Sequence, residues 1–355
     1  MRYIGVDLSK RKFSVVILDE SGEVDSRHTY GMDDIGIAEF TDSLHYDDHV
    51  AFEAGGPCYH FYELIAPHAR TVKIINTTAF RVIKKSIKKT DMNDAHLIAK
   101  FLRYNELPEI YIPEKLYQEL RELVNFREKL VQSRTKCRNI VTAALEKEGI
   151  LIGRKDLDNP RHRAELKSCE VSPVTRIKII CTLDRIDILE RDIRMVEDEV
   201  KRMAREDVSC RRQVVRLMQI PGIGELTAII IVSEIGGCIE RFSTKKEIAS
   251  YAGLVRKTDQ SGDSIKYRQV RRGRSMLKKT LTQVVLTQVG RYPSPVMDYY
   301  EYKKKEKSSG KAIVAAARKL MTIIYIMLKY DRDYRFVEQN LYFQKLKQSR
   351  LELVG

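Results

Sequence analysis

Four acidic residues near the start of the chain have the types and the spacing of a divalent-metal site: Asp7, Glu53, Asp91 and Asp94. Asp7 and Glu53 each follow a short apolar run, which predicts two strands that end in a carboxylate. A strand end is a rigid place to hold a ligand. Asp91 and Asp94 lie three positions apart at the start of a predicted helix, so their side chains share one face. We therefore expect the four carboxylates to converge on one or two ions.

Carboxylates suit the hard cations that assist phosphoryl transfer. Mg²⁺, or Mn²⁺ in its place, prefers oxygen ligands in octahedral geometry, so two to four carboxylates and substrate phosphate oxygens make a suitable shell. Two such ions about 4 Å apart stabilise both the attacking and the leaving oxygen. The alternative is that each acid only caps a helix or faces solvent in a turn, and Asp91 alone has the position of an N-cap. The ordered combination of all four favours the metal site.

The charge balance indicates a polyanionic partner. The chain of 355 residues has 64 Lys and Arg against 49 Asp and Glu, a net charge of +15 and a pI near 9.4. Nucleic acid is the leading partner class for such a balance. A membrane is the competing partner, but no apolar run approaches the roughly 18 residues that span a bilayer. The N-terminus is predicted to be a strand and not a signal sequence, so we expect a cytoplasmic, prokaryotic protein.

The six cysteines do not indicate a metal or disulfide framework. They are widely scattered, without a CxxC pair or a matching His spacing. Small buried side chains in a reducing compartment are the expected role for most of them.

The elements that must position the acids lie in residues 1–112. Three short apolar strands with tight links predict an antiparallel meander, and alternating helices and strands follow. This order predicts an α/β domain of the ribonuclease-H-like type.

Residues 113–207 are predicted to be a helical coiled-coil region that serves in oligomerisation. Apolar residues recur at three- and four-residue steps along 115–148 and again along 179–203, as two long amphipathic helices require. Three packings would bury these stripes: an antiparallel hairpin, a coiled coil between chains, or an ordinary helix packed on its own domain.

A mainly helical domain is predicted at 208–335, followed by a polar tail at 336–355. It begins with Ile220-Pro221-Gly222-Ile223-Gly224, a turn typical of a helix-hairpin-helix element. Gly222 and Gly224 would let the backbone approach a phosphate at a helix N-terminus. The alternative is a plain turn between packed helices.

A dense basic stretch follows in the same domain, as expected for a surface that contacts phosphates. Its residues are Lys266, Arg268, Arg271, Arg272, Arg274 and Lys278, with Lys279 beside them. Ser261, in the segment Gln260-Ser261-Gly262 just before it, has a hydroxyl that could accept a phosphoryl group. Charge runs are also common on solvated faces, which is the alternative for the lysines at 303–305.

Together these blocks resemble the DEDD insertion-sequence transposases, the family of the Piv-like DNA invertases and the bridge-RNA-guided recombinases. The resemblance covers nearly the whole chain. The matching blocks are Ile4-Gly5-Val6-Asp7, Phe52-Glu53-Ala54, Lys89-Thr90-Asp91 with Asp94-Ala95, the Pro221 turn with Tyr251-Ala252-Gly253-Leu254-Val255, and Gln260-Ser261-Gly262 with Arg272-Gly273-Arg274.

The resemblance implies a DNA transposase or site-specific recombinase. A RuvC-like domain would hold Mg²⁺ (or Mn²⁺) on Asp7, Glu53, Asp91 and Asp94, and Ser261 of a transposase domain would attack the DNA phosphate, giving a transient phosphoserine link. It also implies double-stranded donor and target DNA as partners, a structured guide RNA in many relatives, and homodimers that pair into tetramers.

Two departures from the family pattern keep alternatives open. In the family the serine is often preceded by serine and followed by two glycines, whereas Gln260 precedes it and Gly262-Asp263 follows it here, so Ser264 is a rival nucleophile. A hydrolytic RuvC-like nuclease that acts on branched DNA with water as nucleophile is the second hypothesis. A nucleic-acid-binding scaffold with structural acids is the third.

Overall fold

The computed structural model describes residues 1–76, 80, 90–153, 155–255, 257–261, 264–268, 275–306 and 308–351, with the backbone alone at 257–261, 264–268 and 275. The chain divides into two compact units, Met1–Ile112 and Pro113–Gly355.

The first unit contains a five-stranded mixed sheet in the order β3-β2-β1-β4-β5. The strands are β1 (Tyr3–Leu8), β2 (Lys12–Leu18), β3 (Val24–Gly31), β4 (His49–Glu53) and β5 (Thr71–Ile75). The first three pair antiparallel, as the meander prediction requires, and β4 and β5 continue the sheet in parallel with β1. The predicted α/β character of this region is therefore confirmed.

The central strands are apolar on both sides because helices cover both faces of the sheet. Helices α1 (Asp34–Asp42) and α2 (Cys58–Ile65) cover one face, where Phe13, Phe40, Phe52 and Phe61 form an aromatic core. Helix α3 (Asp91–Arg103) covers the other face. The side chain of Thr90 accepts a hydrogen bond from Asn93 N and caps α3, so the alternative of Asp91 as the N-cap is wrong. Asp91 is the first helical residue.

The second unit is mainly helical. Its elements are α4 (Lys115–Glu146), α5 (Pro160–Lys167), α6 (Pro173–Glu206), α7 (Val208–Leu217), α8 (Glu225–Ile235), α9 (Lys245–Tyr251), the hairpin β6 (Lys257–Ser261) and β7 (Ser264–Arg268), α10 (Ser275–Gln288), α11 (Pro295–Glu306), α12 (Ser309–Lys329) and α13 (Gln339–Ser349). Two single turns of 3-10 helix complete the described elements, Ala66–His68 in the first unit and Asp156–Asp158 in the second.

The two long apolar stripes bury each other within one chain. Val141 and Leu145, near the end of α4, share a core with Ile179 and Leu183 near the start of α6. Val124 and Val196, towards the opposite ends of the same helices, belong to one further core cluster. Of the three packings open from the sequence, the antiparallel hairpin is the one observed.

The core of the second unit extends from this hairpin to the C-terminal helices. Helix α8 is buried along most of its length because α4, α6, α7 and α10 surround it, and α12 joins the same core by packing on α10 and α11. Tyr342 and Leu346 of α13 also belong to this cluster, so the polar tail predicted at 336–355 contains a helix that packs on the unit. In the part of the chain that the structure describes, no helix has the length and apolar character needed to span a membrane.

Candidate metal centre and nucleic-acid interface

Asp7 and Glu53 lie side by side at one edge of the sheet. The parallel register of β1 and β4 pairs Val6 with Phe52, and Asp7 and Glu53 are the next residues in the two strands. Neighbouring strands are about 4.8 Å apart. Both carboxylates are half-buried. The sequence prediction that each is held where an apolar strand ends therefore agrees with the fold, since Glu53 closes β4 and Asp7 is followed by a single strand residue.

Helix α3 runs antiparallel to β1, so its first turn lies at the same edge. At the far end, Arg103 Nε donates to Glu20 O at 3.0 Å, beside the start of β1. At the near end, Lys12 Nζ lies 3.5 Å from a carboxylate oxygen of Asp91. Gly5 allows the close approach between them, because a Cβ at this position would lie 2.0 Å from Ala95 O and 2.5 Å from Ala99 N. The helix and strand therefore meet backbone to backbone.

The two acids of α3 have different environments. The Asp91 side chain is 51% exposed and contacts Lys12, whereas Asp94 is 6% exposed. Both lie in the first turn of the helix, where the macrodipole favours negative charge. The four predicted ligands thus gather at one edge of the sheet, and their oxygens match the donor preference of a hard divalent cation. No three of these four residues have ligand atoms that all lie within 4.8 Å of one another.

A tighter group lies at the opposite end of β4. Ligand atoms of His45, Asp47 and Asp48 all lie within 4.8 Å of one another, the one such group among the described residues. Asp48 is fully buried and receives two hydrogen bonds from Arg2, at 2.9 and 2.6 Å, and one from His45 N at 2.7 Å. Asp47 pairs with the N-terminal ammonium at 3.3 Å, which lowers the pKa of its carboxyl. These charges are already compensated, so the group is a structural ion-pair cluster.

In the second unit the Pro221 turn joins α7 to α8 at the position where the sequence predicts a helix-hairpin-helix element or, alternatively, a plain turn between packed helices. Gly222 has φ of 80°, which a residue with a Cβ rarely adopts. Gly224 is the N-cap of α8 without a side-chain capping bond, and a Cβ there would meet nothing within 4 Å. The space beside the N-cap of α8 is therefore open, and a helix N-terminus is a position that can bind an anion, although the first helical residue is Glu225, which pairs with Arg205.

Buried and half-buried polar side chains hold the carbonyls on the inner side of this turn. Gln288 Nε2 donates to Pro221 O at 2.7 Å, and Ser294 Oγ donates to Gln288 Oε1 at 3.0 Å. Lys345 of α13 donates to Met218 O and Ile220 O at 2.8 and 2.9 Å. Burial lowers the pKa of the Lys345 ammonium to about 8. The turn is thus fixed from two sides.

Ser261 ends β6 and is the backbone partner of Ser264, which begins β7. The two candidate nucleophiles therefore flank the same hairpin end, and the backbone does not distinguish between them. Lys266 and Arg268 lie in β7. Lys278 is half-buried in α10, and Lys279 pairs with Glu128 of α4. Arg271, Arg272 and Arg274 lie outside the described residues.

The sequence interpretation missed three residues at these sites. Lys12 meets Asp91 only through the strand register, and no local pattern indicates it. Gln288 likewise contacts a turn 67 positions away. Lys345 had a detectable signal, because Tyr342, Leu346 and Ser349 follow helical spacing and are buried.

Comparison with known proteins finds two matching family models and several relatives of similar length. Residues 4–149 match a family model described as a transposase, of the DEDD type found in IS110 elements, and residues 214–301 match the transposase family of IS116, IS110 and IS902. The chain is 25% identical to the transposase of insertion sequence IS1111A from Coxiella burnetii, over 94% of this chain and 92% of the relative. It is also 25% identical to the pilin gene-inverting protein of Moraxella bovis, over 94% of this chain and 97% of the relative.

Proposed function

The chain belongs to the DEDD insertion-sequence transposase family, and from this premise we propose that it cuts and rejoins DNA as a transposase or site-specific recombinase. The observation that carries the proposal is the gathering of Asp7, Glu53, Asp91 and Asp94 at one sheet edge, in a chain whose two family matches cover both units. The named relatives act on insertion elements or on a gene that is inverted, and both processes break and join DNA.

We also propose that the first unit has the ribonuclease-H-like, RuvC-like fold. Support comes from three antiparallel strands followed by two parallel strands in the order β3-β2-β1-β4-β5, with helices on both faces. In this arrangement the carboxyl-bearing ends of β1 and β4 and the first turn of α3 share one edge.

Asp7, Glu53, Asp91 and Asp94 would hold Mg²⁺ or Mn²⁺, and the fit rests on their chemistry. All four donors are oxygens, and three of the four are partly or fully withdrawn from solvent. A divalent cation bound there supplies charge that stabilises the oxygens of a phosphoryl transfer. The chain supplies rigidity: Asp7 and Glu53 are held by strand pairing, and Asp94 by a capped helix packed on Gly5. The ammonium group of Lys12, 3.5 Å from a carboxylate oxygen of Asp91, balances part of the negative charge of the four acids.

Ser261 is the proposed nucleophile, with Ser264 as its rival. Its Oγ would form a bond to the phosphorus of a DNA phosphodiester while the bond to the 3′ oxygen breaks. The hydroxyl proton leaves the serine, and the departing 3′ oxygen gains a proton. The resulting phosphoserine conserves the bond energy, so the reverse attack by a 3′ hydroxyl on another strand rejoins DNA without an external energy source.

DNA binding is assigned to the turn at Gly222 and Gly224 and to the basic residues of the second unit. The N-terminus of α8, which has Gly224 as its N-cap, would bind one phosphate, and Lys266, Arg268, Arg271, Arg272, Arg274 and Lys278 would contact others. Each neutralised phosphate releases counterions, so binding should weaken steeply with salt. The net charge of +15 supports this role. We further propose, on the family resemblance, a structured guide RNA and a homodimer that assembles into a tetramer.

The test is recovery of protein-linked DNA under denaturing conditions from cells that carry the intact element. Wild type and Ser264→Ala are expected to yield the adduct, and Ser261→Ala is expected to yield none. Ser264→Ala is the matched control because its backbone is the direct partner of Ser261. Loss of the adduct in Ser264→Ala alone would assign the nucleophile to Ser264 instead of Ser261. Nicked DNA without an adduct in any of the proteins would overturn the serine mechanism in favour of hydrolysis by water.

A further inference from the structure

Helices α11 and α12 carry a group of tyrosines and lysines in which Tyr302 is exposed and the others are half-buried. We call this group the tyrosine platform: Tyr299, Tyr302, Lys303 and Lys319. Lys303 Nζ lies 4.5 Å from the ring centre of Tyr302 and 5.8 Å from that of Tyr299. Lys319 of α12 lies 5.0 Å from the Tyr299 ring. Cations from two helices therefore lie close to the two rings.

The platform is distinct from the core side of the same helix. Tyr300 is 3% exposed and its hydroxyl meets Ser309 Oγ at 3.2 Å, where it joins α11 to α12. Tyr302 is 55% exposed and Tyr299 is half-buried. A core role accounts for Tyr300 but not for Tyr302, whose aromatic ring is presented to solvent on a highly charged helix.

The charge around the platform is positive. From 295 to 319 the sequence has seven basic and three acidic residues. Two of the acids are engaged on α11 itself, Glu306 with Lys303 at 2.8 Å and Glu301 with Lys304 at 3.9 Å. Lys319 and Arg318 form no ion pair with any residue that the structure describes. The surface therefore offers cations to an anionic partner beside the exposed ring of Tyr302.

Aromatic rings with adjacent lysines are suited to unpaired nucleotides. A base of a single strand can stack on a tyrosine while its phosphates meet lysines, and this binding tolerates any sequence because every base has a π face. A duplex keeps its base faces inside the stack and offers only its phosphates to such a surface. An exposed ring therefore contributes to the binding of an unpaired strand but not to that of a duplex.

The platform is physically tied to the turn at Gly222. Ser294 Oγ, which donates to Gln288 Oε1, also accepts a hydrogen bond from Met297 N in the first turn of α11 at 3.2 Å. Gln288 in turn donates to Pro221 O. Gln288 and Ser294 are 0% and 5% exposed, so water does not compete for these bonds. The start of α11 is thus fixed relative to the proposed phosphate-binding turn.

We propose that the tyrosine platform binds an unpaired segment of nucleic acid by base stacking. The inference rests on the proposed function, because a recombinase that exchanges strands must handle unpaired DNA, and a structured guide RNA also exposes unpaired bases. The chemistry of the platform is shared by the two sources, so the experiment separates them.

The test measures binding of the full-length protein, without divalent ions, to labelled oligothymidylate and oligouridylate of about 12 nucleotides and to a duplex. Tyr302→Ala should weaken single-strand binding about tenfold and leave duplex binding unchanged, whereas Tyr302→Phe should retain both. Tyr46→Ala, which removes an 83% exposed tyrosine of the first unit, is the matched control. Because Tyr302 is on the surface, this variant should fold, and its melting curve checks that.

Lys319→Gln should reduce the dependence of single-strand affinity on salt by about one counterion. A larger loss for oligouridylate assigns the platform to RNA, and a larger loss for oligothymidylate assigns it to DNA. Unchanged single-strand affinity in Tyr302→Ala, or an equal loss for the duplex, would overturn the proposal. Since no strand is cut in this assay, failure of the serine mechanism would leave its result intact, and the two failures are distinguishable.

Discussion

Two acidic groups lie at opposite ends of the same strand, β4, and they differ in how their charge is balanced. At its start, Asp48 is fully buried and is met by Arg2, while Asp47 pairs with the N-terminal ammonium. At its end, Glu53 lies beside Asp7 and near the first turn of α3, with Lys12 as a partly exposed cation at the rim. Ligand atoms are closer together at the start than at the end. Proximity alone therefore does not identify a metal site, because built-in cations remove the need for an ion.

The largest effect that separates the two groups is expected on DNA rejoining. Glu53→Gln should lower the yield of rejoined DNA by about 10² to 10³-fold, because loss of one charged group that stabilises the transition state has that magnitude. Quantitative amplification of the rejoined flanks from cells that carry the element measures the yield.

The control is Asp47→Asn, which should rejoin DNA within about twofold of wild type if an exposed ion pair is all that it loses. Equal losses in the two variants would contradict the assignment of Glu53 to the chemistry.

The next effect is on the stability of the first unit. Arg2→Ala leaves the buried Asp48 carboxylate without its guanidinium and should lower the free energy of unfolding by about 3 kcal/mol. Chemical denaturation followed by far-ultraviolet circular dichroism measures the loss. Arg2→Lys, which keeps the charge, should lose less. If added Mn²⁺ restored the stability of Arg2→Ala, the cluster at the start of β4 would be a cation site and the comparison would fail.

A smaller effect is expected at the rim of the acidic edge. Lys12→Gln removes the cation 3.5 Å from Asp91 and should tighten binding of Mn²⁺ by about threefold, since an exposed ion pair is worth at most about 1 kcal/mol. Electron paramagnetic resonance of free Mn²⁺ measures the affinity, and Lys10→Gln, in the turn just before β2, is the control. Unchanged affinity in Lys12→Gln would place the ion elsewhere.

The smallest effect is the response of the Asp47 pair to acid. The N-terminal ammonium holds the pKa of Asp47 below its ordinary value of 3.8, so the pair stabilises the fold above that pH and is lost as the pH falls through the lowered folded-state pKa. The difference in melting temperature between wild type and Asp47→Asn should therefore be full at pH 5 and shrink below 3.8. If the difference in melting temperature between the two proteins grew as the pH fell, the pair would not stabilise the fold in the way proposed.

Local patterns in the sequence predicted the elements well. The apolar runs before Asp7 and Glu53 indicated β1 and β4, and the spacing along 179–203 indicated α6, because burial on a regular element leaves a periodic trace. The same spacing did not decide whether the seam would close within one chain or between two. That choice depends on the connection through α5, which the apolar pattern does not encode.

Contacts between distant positions were beyond such patterns. Arg2 and Asp48 form a buried pair across 46 positions, and Gln288 reaches Pro221 across 67. Neither polar residue differs locally from one that faces solvent. The sequence also left open the alternative that Asp91 caps α3, because Thr90 and Asp91 are both good N-cap residues and only the backbone angles distinguish them. The assignments of Ser261 and of the acidic ligands remain predictions.

The contact between Gly5 and α3 has a consequence for how accurately the acids are spaced. Side chains can change rotamer and so let two elements slide, but here main-chain atoms of a strand and a helix touch with nothing between them. The separation of α3 from β1 is therefore set by contacts between main-chain atoms and not by side-chain rotamers. Substitutions of the surrounding residues can change the charge at this edge of the sheet. The spacing between the backbone positions of Asp7 and Asp94, however, depends on the contact between the strand and the helix.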